Sequence, residues 1–320
     1  MAADTVPADY AARAKAALAT VTPEPGVPKP DPILRAANVR RHFGGIVAVD
    51  VDRVEIERGS ITALIGPNGA GKTTFFNLLT GFDKADEGTW SFDGRTIKGA
   101  YPRDPGPTTT AGLLSIPVLR NLIGQGVGPH QMAKLGMVRT FQLTKSLTKL
   151  PVIENMKLGA TGQRGEKIWN ALIPALWRGQ EAEIEARADE LLQRFKLDHM
   201  RDEYAGSLSG GQRKLLEMAR ALMTNPKLVM LDEPMAGVNP ALKQSLNSHV
   251  RALRDEGMTV LFVEHDMDMV HDISDWVIVM AEGRVIAEGT PDQISSNPAV
   301  IDAYLGIHQG QSLLELEDNA

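Results

Sequence analysis

Short apolar runs alternate with longer amphipathic stretches through much of the chain, and the two patterns predict strands and helices in turn. Ile61–Ile65, Lys227–Leu231 and Thr259–Glu264 have the length and apolar content of buried strands. Gly211–Thr224 and Ala241–Glu256 precede the second and third of these runs and have the length of helices. Such alternation is typical of an α/β fold, so we expect a mainly parallel central sheet.

A period of two residues marks other segments as antiparallel strands. Val47–Val49 and Val51–Ile56 alternate in this way near the start of the chain. Trp276–Ala281 and Arg284–Glu288 are joined by a glutamate–glycine turn, which predicts a hairpin. Glu181–Leu197 is different, because its apolar residues recur at helical spacing among many charges. We expect this stripe to pack in the core.

Two segments rich in proline and glycine interrupt the regular pattern. Residues 1–32 contain several prolines after position 22 and predict a flexible arm, with at most one short helix around Tyr10–Leu18. Ordered structure should then begin near Ile33. Residues 98–127 predict a surface insertion. Within it, Ala111–Ile123 is apolar enough to pack on the body of the protein or on a partner, and a passive loop is the alternative.

The composition narrows the class of protein. With 320 residues, 43% of them hydrophobic, the chain can build a substantial core in one or two domains. It has neither the roughly 18 uninterrupted apolar residues of a membrane span nor the apolar centre of a signal peptide near its start. We therefore expect a soluble, cytoplasmic chain. The absence of cysteine excludes disulfides and cysteine-ligated zinc, and a formal net charge of −6 argues against nonspecific nucleic-acid binding.

The most specific chemical motif lies directly after the first predicted strand. Residues 66–73 fit the pattern G-x-x-x-x-G-K-[ST] and lead into a predicted helix, Thr73–Leu79. Glycines in this pattern let backbone N–H groups point at phosphate oxygens, and the helix N-terminus adds a favourable dipole. We expect Lys72 to reach the β- and γ-phosphates and the Thr73 hydroxyl to bind Mg²⁺. The motif predicts a nucleoside triphosphate site.

Two further motifs carry chemistry that suits a triphosphate. An apolar strand ends in Asp232 and Glu233. Asp232 is expected to hold Mg²⁺ through water, and Glu233 to orient or deprotonate the attacking water; solvated acids at an ordinary strand end are the alternative. Residues 208–212 place a serine and two glycines at a helix start, a second anion-binding terminus, with simple capping by Ser209 as the alternative. Two such helix starts suggest that each site is completed by another copy of the chain.

With these motifs in this order, the chain resembles the ATPase subunits of ABC transporters, whose signature is Leu-Ser-Gly-Gly-Gln. The resemblance covers residues 33–306. It implies a P-loop NTPase core with a mainly parallel sheet, an N-terminal antiparallel β-region and a helical subdomain at about 143–225. Residues 307–320 would form a C-terminal tail.

The resemblance also assigns roles to individual residues. Gln142 is similar to the Q-loop glutamine and His265 to the switch histidine. Phe43 lies where an aromatic residue stacks on adenine, although it could instead belong to the core. Asn239 stands where Asp is commoner. The implied sets are catalytic Glu233, His265 and Gln142; nucleotide-binding Phe43, Gly66, Asn68, Gly69, Ala70, Gly71, Lys72, Thr73, Thr74, Ser209, Gly210, Gly211 and Gln212; and Mg²⁺-binding Thr73, Gln142 and Asp232.

The resemblance narrows to ATPases of the high-affinity branched-chain amino acid importers, on residues 43–45, 136–142, 233–240, 263–267 and 289–306. This implies a head-to-tail dimer, with a second copy or a paralogue, that closes around two ATP molecules. It also implies integral membrane permease subunits as partners, a position on the inner face of the cell membrane and an extracytoplasmic solute-binding protein. Nucleic acid is not expected as a partner. The alternatives are ATPases of urea or amide importers, ATPases of lipid or lipopolysaccharide exporters, and a soluble ABC ATPase outside transport.

Overall fold

The computed structural model describes residues 10–97, 127–140, 148–163 and 177–304. In chain order, its strands are β1 (Pro32–Phe43), β2 (Ile46–Glu57), β3 (Ile61–Ile65), β4 (Glu87–Phe92), β5 (Arg95–Ile97), β6 (Met137–Arg139), β7 (Leu228–Asp232), β8 (Thr259–Val263), β9 (Trp276–Ala281) and β10 (Arg284–Gly289). Its helices are α1 (Tyr10–Ala19), α2 (Lys72–Leu79), α3 (Pro129–Leu135), α4 (Val152–Lys157), α5 (Arg178–Arg194), α6 (Gly210–Ala221), α7 (Pro240–Asp255), α8 (Met267–Ile273) and α9 (Pro291–Ser295). The chain divides into two units, the first Met1–Met132 with Leu253–Ala320 and the second Ala133–Ala252.

The described part of the first unit contains an antiparallel and a mainly parallel sheet. In the antiparallel sheet, β1 lies between β2 and β4, and β5 pairs with β4. In the other sheet, β3 runs parallel to β8 and to β9, while β9 and β10 form the predicted hairpin. Every residue of β3 and β8 is buried, which explains their continuous apolar sequences. The two alternating segments predicted after position 46 form one strand, β2.

Residues 10–31, which we call the N-terminal strap, differ from the flexible arm expected there. The expected helix is present as α1, which buries Ala14 and Leu18. Further along, Nζ of Lys29 lies 2.8 Å from Oε2 of Glu288, and the two side chains are 1% and 0% exposed. The backbone N–H of Lys29 donates to the Glu55 carboxylate at 2.8 Å. Proline-rich composition predicts an extended chain but not its partners, and these long-range contacts hold the strap on the first unit.

The second unit combines a parallel strand pair with helices. β6 pairs with β7 so that Arg139 lies opposite Met230, and all of β7 is buried. α5 buries Ala188, Leu191 and Leu192, as its apolar stripe predicts. The helix expected to run to Thr224 is α-helical only to Ala221 and ends in a 3₁₀ turn. These parallel pairs and the antiparallel β-region confirm the predicted α/β fold class.

Parts of the predicted organisation fall outside the described residues. The insertion at 98–127 does so except for its last position, and the tail at 307–320 does so entirely. Both therefore stay predictions, as does the helical subdomain at about 143–225, whose numbers fall within the second unit.

Candidate functional site

The phosphate-loop motif connects the end of a buried strand to the start of a helix. β3 ends at Ile65, and Gly71 occupies the N-cap position of α2. Gly66 has a φ of 147°, and a Cβ atom there would collide with the carbonyl oxygen of Met280 on β9. A side chain at position 66 would push the loop off the sheet, so the close approach requires glycine.

Two groups that suit phosphate and metal, the Lys72 ammonium and the Thr73 hydroxyl, belong to the first residues of α2. Nζ of Lys72 donates to the carbonyl oxygens of Gly66 at 2.6 Å and Pro67 at 2.8 Å, so the ammonium group lies across the turn. Thr73 is exposed, which leaves its hydroxyl accessible. Among the other predicted contacts, Asn68 and Gly69 are exposed, Thr74 is half-buried and Ala70 is buried. A cation and a helix N-terminus together form a site for an anion.

The turn between β9 and β10 supports the loop from the side. The N–H of Gly283 donates to the carbonyl oxygen of Ala70 at 3.1 Å, and its own carbonyl accepts from the N–H of Asp50 at 2.8 Å. The phosphate loop is therefore joined through this turn to β2. The hairpin predicted from alternation and its glutamate–glycine turn thus holds the backbone of the phosphate loop.

Phe43 lies at the end of β1, opposite Ile46 on β2. Its side chain is 48% exposed, so the interpretation as a core residue is wrong. The Arg41 guanidinium lies over the ring, 4.6 Å from its centroid, which limits the ring's freedom. An exposed ring held in this way suits stacking on a planar base, and the adenine contact stays a prediction.

His265 follows β8 directly, and its side chain is 68% exposed. Because Leu64 of β3 pairs with Val263 of β8 in parallel, the phosphate loop and His265 leave the same edge of the sheet. The backbone N–H of His265 donates to the buried Glu264 carboxylate at 3.2 Å. The side chain is thereby presented to solvent at the edge where the phosphate loop begins.

In the second unit, β7 carries the two predicted carboxylates. Asp232 is its last residue and is only 6% exposed. Arg139, the last residue of β6, donates from Nη2 to Oδ2 of Asp232 at 2.5 Å. Glu233 has a φ of 45°, in the left-handed region that residues with a side chain disfavour. Such backbone strain is typical of active sites, and here it falls on the residue predicted to act on water.

The signature segment begins α6. Ser209 caps the helix by accepting from the N–H of Gln212 at 3.2 Å, while the Gln212 side chain accepts from the N–H of Ser209 at 2.9 Å. Capping is thus present, yet Ser209 and Gly210 remain exposed and available to an anion. Gly211 contacts the next helix so closely that a Cβ atom there would collide with Leu242.

Asn239, where the family more often has Asp, accepts a hydrogen bond from the N–H of Leu242 at 2.9 Å. The amide oxygen thus serves the start of α7 as a carboxylate would. This departure from the family pattern therefore preserves the local structure.

Comparison with known proteins agrees with this geometry. A family model described as ABC transporter matches residues 49–236, more than half of the chain. The chain belongs to the ABC transporter ATPases. A second model, described as branched-chain amino acid ATP-binding cassette transporter, matches residues 284–308. The resemblance inferred from the motifs is therefore confirmed, and so is the ATPase activity coupled to transport that it implied.

This ABC transporter ATPase aligns with individual relatives over nearly the whole of their length. The probable branched-chain amino acid transport ATP-binding protein LivG of Archaeoglobus fulgidus is 40% identical over 87% of this chain and 97% of its own. BraF of Pseudomonas aeruginosa, a high-affinity branched-chain amino acid transport ATP-binding protein, is 37% identical over 86% and 98%. A crystal structure of an ATP-binding cassette of an ABC transporter in its ADP conformation has a TM-score of 0.69 at 37% identity, over 86% and 99% of the two chains.

One predicted site residue is not described by the structure, and two features of the structure were not predicted from the sequence. Gln142 lies outside the described residues, so its role stays a prediction. The ring of Tyr304 is half-buried; burial raises the pKa of its hydroxyl, and the backbone of Gly66 opposes that change. Sequence reasoning did not predict this environment. It also missed the pairing of Arg139 with Asp232, because no local pattern predicts a contact between positions 93 apart. No helix in the described part of this ABC transporter ATPase is both long and apolar enough to cross a membrane.

Proposed function

We propose that this ABC transporter ATPase powers the import of branched-chain amino acids. The observation that carries the substrate class is the match of residues 284–308 to the branched-chain amino acid model. This segment includes β10 and α9 and none of the residues assigned to nucleotide chemistry. The match is therefore independent of the ATPase motifs, which many transporters share. Relatives that are 36–40% identical carry the same substrate class in their names.

The exposed phosphate loop supports the first step, binding of the triphosphate. Lys72 exchanges its two backbone carbonyl partners for β- and γ-phosphate oxygens, and the N–H groups at the start of α2 bind the phosphate chain. Phe43 stacks on the adenine. His265 contacts the γ-phosphate from the same edge of the sheet as the phosphate loop. These roles agree with the exposure of the side chains and of the loop.

Glu233 is the general base or the residue that orients the attacking water. Its position directly after a buried strand supports this role, because the strand fixes the carboxylate in place. The strained backbone at Glu233 is also consistent with a position maintained for chemistry rather than for stability.

The magnesium site is formed from oxygen donors, which suit this hard cation. The Thr73 hydroxyl and the amide oxygen of Gln142 would bind the ion directly, and the Asp232 carboxylate would hold it through water. When bound, the ion neutralises charge on the transferring phosphate. Asp232 contributes the negative charge that retains the ion, while Thr73 places its hydroxyl at the start of α2.

The exposed N-terminus of α6 supports a composite site. Ser209 and Gly211 contact the γ-phosphate bound by a second copy of the chain or by a paralogous ATPase, so hydrolysis requires the dimer. ATP closes this dimer and hydrolysis opens it, because only the triphosphate bridges the two chains. The dimer sits on integral membrane permease subunits at the inner face of the cell membrane, and an extracytoplasmic solute-binding protein delivers the amino acid.

Transport in a purified system tests this function. The tagged chain is isolated from membranes of its own cells with the permease it retains, and the complex is reconstituted in proteoliposomes with the solute-binding protein. We expect ATP-dependent uptake of labelled leucine, isoleucine and valine. Glu233→Gln should reduce both uptake and hydrolysis at least about a hundredfold, the scale of losing a general base, while ATP binding remains.

The matched control is Glu190→Gln, which makes the same substitution at an exposed position on α5 and should leave both rates unchanged. Uptake of urea or an amide in place of branched-chain amino acids would contradict the substrate class. Near-normal turnover by Glu233→Gln would contradict the role of Glu233.

A further inference from the structure

A buried ion pair joins the strand that ends at Asp232 to the strand beside it. Nη2 of Arg139 lies 2.5 Å from Oδ2 of Asp232, and the two side chains are 8% and 5% exposed. The pair is fixed by the backbone, because β6 and β7 are parallel and the N–H of Thr140 donates to the carbonyl oxygen of Met230 at 3.0 Å. Both charges therefore leave the ends of adjacent strands in a defined register.

The position of this pair is informative because the Asp232 carboxylate is proposed to hold magnesium through water. A buried carboxylate without a counter-ion is costly, so a protein that holds such a carboxylate between turnovers needs a cation beside it. Arg139 supplies that cation permanently, since its guanidinium does not lose its proton in proteins. The charges of the pair cancel when no metal is present, and the arginine repels a dication that approaches the same carboxylate.

We propose that Arg139 is the resting counter-ion of Asp232. It positions and neutralises the carboxylate while magnesium is absent, and it weakens magnesium binding by sharing the carboxylate with the metal. This inference rests on the proposed role of Asp232 in metal binding. Arg139 is thus a positioning residue that keeps the site from holding the metal too tightly after ADP forms.

Replacing Arg139 should therefore change stability and metal affinity in opposite directions. Arg139→Met removes the charge at similar length, leaves Asp232 without its cation and should lower the melting temperature of the metal-free protein by roughly 10 °C. With ADP present, the same variant should bind Mg²⁺ about tenfold more tightly than wild type, because the competing charge is gone. Arg139→Lys keeps the charge and should bind Mg²⁺ within about threefold of wild type.

Thermal unfolding is measured with ADP plus EDTA and with ADP plus a Mg²⁺ titration. The magnesium-dependent increase in melting temperature should be larger in Arg139→Met than in wild type. Arg201→Met is the control, because Arg201 pairs with Asp189 on α5, outside the proposed site. It should lose stability without any change in the magnesium-dependent increase. The double variant Arg139→Met/Asp232→Asn should regain most of the metal-free stability that Arg139→Met loses.

An unchanged magnesium dependence in Arg139→Met would overturn the proposal and leave Arg139 a purely structural residue. If Arg139→Met fails to fold, Arg139→Lys tests the proposal instead. A large loss of Mg²⁺ affinity in Arg139→Lys would equally overturn the proposal. Wild-type Mg²⁺ affinity in Asp232→Asn, by contrast, would show that Asp232 does not hold the ion. That result contradicts the proposed metal site itself, and it is distinguishable from a failure of Arg139 alone.

Discussion

Replacing Lys29 tests whether the N-terminal strap belongs to the folded first unit. Nζ of Lys29 is 2.8 Å from Oε2 of Glu288 and 4.4 Å from the centroid of the Trp276 ring. Glu288 also accepts from Nε1 of Trp276 at 3.1 Å and from the N–H of Gly26 at 2.9 Å. Lys29→Met would remove the cation and leave Glu288 buried with two neutral donors.

Breaking a buried ion pair by removing one partner costs about 3–5 kcal/mol. The two remaining hydrogen bonds to Glu288 place Lys29→Met near the lower end, at about 3 kcal/mol. A loss of this size lowers the melting temperature of a domain of this size by roughly 6–12 °C. Differential scanning calorimetry measures the shift, and limited proteolysis should show faster cleavage within the strap.

The double variant Lys29→Met/Glu288→Gln should recover part of the stability that Lys29→Met loses, since removing both charges of a buried pair is often nearly neutral. Recovery is incomplete because Trp276 and Gly26 donate to different oxygens of Glu288, and the single oxygen of glutamine can accept from only one of them. Lys15→Met is the matched control, because Lys15 is exposed on α1. The reasoning about the strap is refuted if Lys29→Met and Lys15→Met have the same melting temperature. It is also refuted if the double variant is no more stable than Lys29→Met.

Two further predictions address the second unit. Ser209→Arg should leave ATP binding by the monomer intact but block hydrolysis, since the proposed defect lies in the partner's site. Ser248→Arg, on the exposed face of α7, is the control. Normal turnover by Ser209→Arg, or an equal loss of hydrolysis in Ser248→Arg, would contradict the composite site. His249 stacks on Phe195 with ring centroids 4.5 Å apart, and burial, assisted by Arg194 and Lys196, lowers its pKa below 6.5. Because the unfolded state binds the proton more readily, this contribution to stability is complete above about pH 6.5 and is lost as pH falls through the folded pKa. Urea unfolding between pH 7.5 and 5.5 should show that His249→Gln loses part of this dependence.

Local patterns predicted those parts of the fold that depend on neighbouring residues. β3 has the predicted bounds, Ile61–Ile65, because a short apolar run before a glycine-rich loop can hardly form anything else in this context. The β9–β10 hairpin follows from alternation and a glutamate–glycine turn, and helix capping was the alternative interpretation of Ser209. In each case the information lies within about ten residues.

Contacts between distant positions could not be predicted in the same way. Lys29 and Glu288 are 259 positions apart, and nothing near Lys29 distinguishes it from an exposed lysine in a proline-rich segment. Phe43 shows the opposite problem, since an aromatic residue at a strand end is equally compatible with the core and with a ligand surface. Only its exposure in the folded chain separates the two interpretations.

At the end of β7, the backbone conformation and the buried charge that function requires differ from those that stability favours. Predictions from neighbouring residues fail there for that reason. Most residues other than glycine with positive φ in the described chain are Asn or Asp, or precede glycine in a hairpin turn, as turn chemistry predicts. Lys196 and Glu233 are the exceptions. Lys196 lies directly after the C-cap of α5, where a left-handed residue commonly ends a helix, whereas Glu233 follows a strand, and its conformation costs about 1–3 kcal/mol. Beside it, Asp232 requires a buried cation that a well-packed apolar pair would make unnecessary. Both costs fall on adjacent residues at one strand end, so the fold stabilises a geometry that its local sequence does not favour. A strand end selected only for stability would have neither feature, which is an argument for the proposed chemistry of Asp232 and Glu233 independent of the motif they form.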